Sequence, residues 1–190
     1  MKAMKPVIEK YFYFIRHGQT DPNINGLVCG GDWDVPINNT GVDQAINARG
    51  IVEKLSPVPT RICSSPMIRA QLTSKLINEN FNLPIASVEG LREWCVGDWE
   101  NKPFDDVPNP FNTTIDPPNG ETREIFEERV IAAVNSSLEK YPDDVILFVA
   151  HGAVAHSLFT CMGIDQPMID NASIYKVEPK NNRWSIQLQT

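Results

Sequence analysis

Apolar positions along the chain switch between two periods. Tyr11–Ile15 is an unbroken aromatic and β-branched run, suited to a buried strand. Asn39-Thr40-Gly41 then precedes apolar Val42, Ala45, Ile46, Val52 and Leu55 at helical spacing, with Asn39 or Thr40 as the N-cap. Arg61–Ser64 reads as a short strand, and Pro66 falls near the first turn of a helix carrying Ile68, Leu72 and Leu76. Ile85–Val88 reads as a further strand. From about Glu121 a helix repeats apolar residues at Phe126, Val130, Ala133, Val134 and Leu138. Val145–Ala150 is wholly apolar, as a central parallel strand covered on both faces should be. A helix follows through Leu158, and Ile174–Val177 with Trp184–Leu188 read as a closing hairpin or edge pair. Strand–helix alternation with continuous apolar strands predicts an α/β fold, a three-layer α/β/α sandwich around a mostly parallel central sheet.

Length and charge refine this picture. The chain has 190 residues, enough for one good core, so a single domain over residues 1–190 is expected. Its 17 Lys+Arg and 24 Asp+Glu leave a net charge of −7, which argues against a general nucleic-acid binder. A small anion is another matter, because local arginines can oppose the global sign. Residues 93–128 hold ten acidic residues against Lys102 and Arg123, and five prolines fall between Pro103 and Pro118. Proline removes donors and disfavours helix, so a Pro-rich acidic insertion or lid is expected at about 100–120. Cys29, Cys63, Cys95 and Cys161 are far apart and form no CxxC pair, which suggests reduced thiols and a cytoplasmic protein. The longest apolar run, Val145–Ala150, is about a third of a membrane span, and Arg16 ends the apolar stretch after Lys10 too early for a signal sequence. No membrane partner is expected.

Candidate chemistry gathers after the strands. In open parallel sheets, sites form at the carboxyl ends of the strands. After Tyr11–Ile15 come Arg16-His17-Gly18-Gln19-Thr20. After Arg61–Ser64 come Ser65-Pro66, with Arg69 one helical turn in. After Ile85–Val88 come Leu91-Arg92-Glu93, and after Val145–Ala150 come His151-Gly152. Each residue alone has an ordinary structural reading; a His after a strand or a Glu in an acidic stretch is commonplace. Convergence at four strand ends favours chemistry. Arginines can grip a phosphate dianion by paired hydrogen bonds. A neutral imidazole can attack phosphorus, and a second, protonated one can donate to the developing charge. A carboxyl with a raised pKa can protonate the leaving alkoxide. No metal or other cofactor is needed, and His151 with His156 has i,i+5 spacing, unlike the i,i+4 of a zinc helix. His156 is taken as structural.

These residues resemble the histidine phosphatase superfamily, also called phosphoglycerate mutase-like, over nearly the whole chain. FIRHGQT is similar to the family's strand and Arg-His-Gly-x-Thr. CGGDWDVPINNTGVDQA, SSPMIRAQLTS, LREWCVGDWE, NGETREIFEERV and VILFVAHGAV follow in the family's order. The resemblance implies that His17 is the phosphorylated nucleophile, that Arg16, Asn23, Arg69 and His151 bind the phosphoryl group, and that Glu93 is the acid and then the base. Gln19, Thr20 and Gly30 would line the pocket, Gly30 offering its backbone N–H. Pro22 stands where many members carry Trp, and Met67 where Leu is common; neither removes a chemical group. The family's cofactor-dependent mutases have a larger insertion after the Glu93-like position. The expectation is therefore a metal-independent phosphatase of small phosphorylated metabolites, either α-ribazole-5′-phosphate-specific or broad. Mutase-type transfer is the alternative, and a non-catalytic phosphate-binding or protein-interaction module a remote one.

Overall fold

A computed structural model of the chain describes residues 6–109, 115–165, 169–181 and 183–190. In chain order the elements are β1 (Phe12–Arg16), the short α1 (Asp21–Ile24), α2 (Asn39–Val52), β2 (Arg61–Ser64), α3 (Ile68–Asn78), β3 (Ile85–Ser87), α4 (Arg123–Lys140), β4 (Ile146–Ala150), α5 (Gly152–Cys161), β5 (Ile174–Lys180) and β6 (Arg183–Gln189). The strands form one sheet in the order β3-β2-β4-β1-β5-β6. β1, β2, β3 and β4 pair in parallel, while β5 and β6 add an antiparallel edge. The expected mostly parallel α/β sheet is present, with the terminal hairpin as its antiparallel part.

Alternation along the strands divides the core between two faces. Tyr13, Ile15, Ile62, Leu147 and Val149 pack with Ala48 and Val52 of α2 and Ala70 and Ile77 of α3. Phe12, Phe14, Cys63, Phe148 and Ala150 pack with Val130 and Val134 of α4 and Leu158 of α5. All of β4 is buried, as its wholly apolar sequence requires. Phe148 meets Phe12 edge to face, with ring centroids 5.2 Å apart. None of the four cysteines is disulfide-bonded. Among the described residues no helix is long and apolar enough to cross a membrane.

The helices depart from the sequence reading in informative ways. α2 begins one residue early, because Asn38 is the cap and its Oδ1 accepts from Gly41 N at 2.9 Å. Ile46 is exposed, and Leu55 lies beyond the helix end. α3 turns a different face inward from the one expected. It buries Arg69, Ala70, Thr73, Ser74 and Ile77 and leaves Ile68 exposed. The polar members of that face have partners: Thr73 Oγ1 donates to Arg69 O at 2.7 Å and accepts from Gly18 N at 3.0 Å. Gly18 serves packing too, since a Cβ there would lie 2.5 Å from Gly41 O, and one on Gly41 would lie 2.3 Å from Gln19 O. Backbone thus meets backbone where the loop after β1 crosses the start of α2.

The acidic, Pro-rich stretch starts in the core. Trp94, Val96 and Trp99 are buried, and 3₁₀ turns follow at Gly97–Trp99 and Phe104–Asp106. Leu27 bridges Pro103, Val28 N donates to Lys102 O at 2.8 Å, and Phe104 N donates to Gly26 O at 2.9 Å. The return is tied as well, with Asp98 N on Pro118 O and Glu121 N on Cys95 O. Residues 110–114 of the expected insertion lie outside the described residues.

Phe148→Ala removes a fully buried ring from the central strand and should cost about 3–5 kcal/mol in urea unfolding. Ile46→Ala, on the exposed face of α2, should stay within about 0.5 kcal/mol. Equal losses at the two sites would contradict this burial pattern.

Candidate active site

The hydrogen-bond ladder runs past the strand ends. His17 N donates to Ala150 O, and Ser65 N donates to Val149 O, each at 2.9 Å. The residues following β1 and β2 therefore sit beside the end of β4, where His151 caps α5. The His17 and His151 ring centroids are 5.2 Å apart.

Local partners determine the state of His17. Its Nδ1 lies 2.7 Å from Gly18 O, and a carbonyl only accepts, so Nδ1 carries the proton and Nε2 keeps the lone pair. Burial, together with Arg69 and Arg16, holds the His17 pKa well below the ordinary imidazole value. The ring is therefore a neutral base with its free nitrogen unprotonated. Asn171, which the sequence reading did not single out, donates Nδ2–H to His17 O at 2.9 Å and to Asn23 Oδ1 at 3.3 Å. It lies in an irregular loop before β5, where no periodicity marks it.

Arg69 is 1% exposed and binds on three sides. Nε donates to His151 Nδ1 at 3.2 Å, Nη1 to Trp33 O at 3.1 Å and Nη2 to Gly30 O at 2.9 Å. Arg69 also sets the tautomer of His151. Arginine Nε can only donate, so His151 Nδ1 accepts, and Nε2–H donates to Ser65 Oγ at 2.7 Å. Burial, then Arg69 and His17, keeps its pKa well below the ordinary value. His151 is a wholly buried imidazole beside His17, and its surroundings favour the neutral form. Ser65 is the second residue missed, although it stands in the Ser64-Ser65-Pro66 segment.

A cavity opens against this cluster. Arg16, His17, Thr20, Asn23, Gly30, Arg69 and Glu93 line it together with the apolar Leu27, Val28, Val96 and Phe104. Arg16 Nε and Thr20 Oγ1 are buried without a hydrogen-bond partner among the described residues. Two such atoms on residues of the cavity lining suit a bound anion. Arg16 Nη1 is anchored on Ile169 O at 2.8 Å. Asn23 Oδ1 accepts from Thr20 N at 3.1 Å, which closes the turn that carries both. Gln19 and the Gly30 N–H depart from expectation. Gln19 does not line the cavity; its side-chain oxygen lies 3.4 Å from Asn38 Nδ2. Gly30 lines it, but its N–H donates to Glu100 Oε1 at 2.6 Å. His156 stays outside the cluster on α5.

The sequence model described as "Histidine phosphatase superfamily (branch 1)" matches residues 12–190. The chain belongs to this superfamily. It is 33% identical over 178 residues to the "Uncharacterized phosphatase PhoE" of Bacillus subtilis, covering 91% of this chain and 90% of that protein. It is 32% identical over 155 residues to the "Adenosylcobalamin/alpha-ribazole phosphatase" of Escherichia coli, covering 75% and 73%. The crystal structure of a putative alpha-ribazole-5′-P phosphatase from Escherichia coli superposes with a TM-score of 0.80 at 24% identity, covering 96% of each chain, and so shares the fold. The chain is accordingly an enzyme, a phosphatase of the histidine phosphatase superfamily.

In this histidine phosphatase the carboxyl facing the cavity is Glu93. Its Oε1 accepts from Trp94 N at 3.0 Å and its Oε2 from Ala153 N, at the start of α5, at 3.2 Å. Burial raises its pKa above the ordinary carboxylate value, against the opposing pull of Arg69. Folding therefore favours the protonated form. At low pH both the folded and the unfolded chain hold this proton. As pH rises the unfolded chain releases it first, so stability falls until the folded carboxyl ionises too. Glu93→Gln removes that loss. Its stability relative to the unsubstituted protein should rise as pH increases from the ordinary carboxylate range upward, read from urea midpoints. A difference that does not change with pH would mean that Glu93 is not held protonated.

Proposed function

We propose that this enzyme hydrolyses small, largely apolar phosphomonoesters through a phosphohistidine at His17. The observation that carries the reading is the His17 ring, a neutral imidazole whose Nδ1 is committed to Gly18 O and whose Nε2 lone pair is free. Nε2 attacks phosphorus and forms an N–P bond as the bond to the alcohol oxygen breaks. Glu93 gives its proton to that oxygen. A water then attacks the phosphohistidine, loses a proton to Glu93 and releases phosphate, returning Nε2 to its starting state. Arg16, Arg69, Thr20 and Asn23 surround the transferred group, and the start of α5 adds partial positive charge. His151 supports this grip by holding Arg69 Nε.

The apolar lining argues for the substrate class. The cations that line the cavity, Arg16 and Arg69, both act on His17, whereas Leu27, Val28, Val96 and Phe104 are apolar. A phosphoglycerate bound at His17 would place its carboxylate against that apolar surface without a partner, which favours hydrolysis of apolar esters over mutase-type transfer. The alpha-ribazole compounds named for the Escherichia coli relative and a broad range of esters both fall within this proposal. A panel of phosphorylated metabolites, assayed for phosphate release and with 3-phosphoglycerate assayed for isomerisation, decides between them. Isomerisation faster than hydrolysis would reject the proposal.

Hydrolysis of an aryl phosphate should persist in excess chelator, and complete loss would reject a metal-independent reaction. His17→Ala should lower turnover by more than about a thousand-fold and abolish an acid-labile phosphoenzyme. Glu93→Gln should lower kcat/KM for alkyl phosphates by about 10²–10⁴-fold and less for aryl phosphates, whose leaving groups need little protonation. Equal losses would leave Glu93 without an acid role.

A further inference from the structure

Arg129, on the inner side of α4, lies outside the cavity, yet its side chain is wholly engaged. Nε donates to Glu121 Oε1 at 2.7 Å, and Nη2 donates to Glu121 Oε2 at 2.8 Å and to Glu93 O at 3.0 Å. Nη1 donates to Gly90 O at 3.0 Å and to Arg92 O at 2.8 Å. All five guanidinium N–H groups are thus used, two on one carboxylate and three on the backbone that presents Glu93. Its guanidinium also covers the Phe126 ring, with Cζ 4.8 Å from the centroid. Glu121 is itself fixed at three points: its N–H donates to Cys95 O at 2.7 Å, its carbonyl accepts from Trp94 Nε1 at 2.7 Å, and its carboxylate holds Arg129. The pair therefore grips residues 90–95 from both sides. Glu121 also ends the stretch that begins at Val96 and supplies Phe104 to the cavity wall.

We propose that the Glu121–Arg129 pair is a positioning clamp for the proton-transferring carboxyl of Glu93. The inference rests on the acid–base role proposed above for Glu93. Arg129 acts through the carbonyls of residues 90, 92 and 93, so it sets where Glu93 stands rather than how readily it ionises. Lysine cannot replace it, because one ammonium cannot reach three carbonyls and a carboxylate together.

The test is a double-mutant cycle read on two leaving groups. Arg129→Lys should lower kcat/KM for an alkyl phosphate by ten-fold or more and leave an activated aryl phosphate within about three-fold. With the aryl ester, slowed hydrolysis of the phosphoenzyme should appear as a burst of one equivalent of phenol. In a Glu93→Gln background the same Arg129→Lys change should have no further effect on the alkyl ester. The alkaline limb of the kcat/KM profile should keep its position. Glu121→Gln leaves one acceptor oxygen in place of two and so weakens the pair, and should give the same leaving-group pattern at smaller amplitude. It carries the test if Arg129→Lys does not fold. Additive losses in the cycle, or equal losses on both esters, would overturn the clamp while leaving the Glu93 assignment standing. A Glu93→Gln enzyme with no leaving-group dependence would overturn both.

Discussion

The site depends on burying the Arg69 guanidinium at the meeting point of α3, the end of β4 and the 30–33 loop. An unpaired charge there would cost several kcal/mol, so its surroundings must supply acceptors. They do so from two separate segments: the ring of His151 after β4, and the carbonyls of Gly30 and Trp33 in the 30–33 loop. Each acceptor is placed by other structure. His151 follows the most buried strand, and Gly30 is held by Glu100, so the cation connects the sheet to the outer loops. Thr73, one turn along α3, fixes Arg69 O and reaches Gly18 next to the nucleophile.

This arrangement decides how the titratable groups divide their work. Burial and two arginines keep both imidazoles neutral, which suits His17 as a nucleophile and makes His151 a hydrogen-bond acceptor. The same burial holds Glu93 toward its protonated form, while Arg69 opposes it. A buried base and a buried acid thus stand across one cavity in complementary states, and neither requires an unusual residue.

Much of this was legible in the sequence, for particular reasons. β1, β2 and β4 are short, wholly or mostly apolar runs, and each is followed by a residue of the site, so strand ends alone pointed to Arg16, His17 and His151. α3 was misread because periodicity counts apolar residues, whereas its buried face carries Arg69, Thr73 and Ser74. Ionisation was also out of reach, because the donation from Arg69 to His151 joins residues 82 positions apart. Gln19 and the Gly30 N–H failed for a similar reason, since each finds an internal partner that spacing does not reveal. Asn171 is distant from the motifs it serves and carries no local signal, whereas Arg129 stands within NGETREIFEERV but nothing in that segment links it to Glu93.

The cavity has two kinds of construction. Its phosphoryl side rests on side chains with committed partners, so substitutions there spread through the network. Its apolar wall is stitched by main-chain contacts, Leu27 to Pro103, Val28 to Lys102 and Phe104 to Gly26, which ask nothing of the side chains they carry. Leu27 and Phe104, which are not part of the buried core as Val28 and Val96 are, are therefore free to drift in size and polarity under selection while the reaction chemistry stays intact. Such a division lets substrate range diversify among descendants of one catalytic framework without each change having to re-solve phosphoryl transfer.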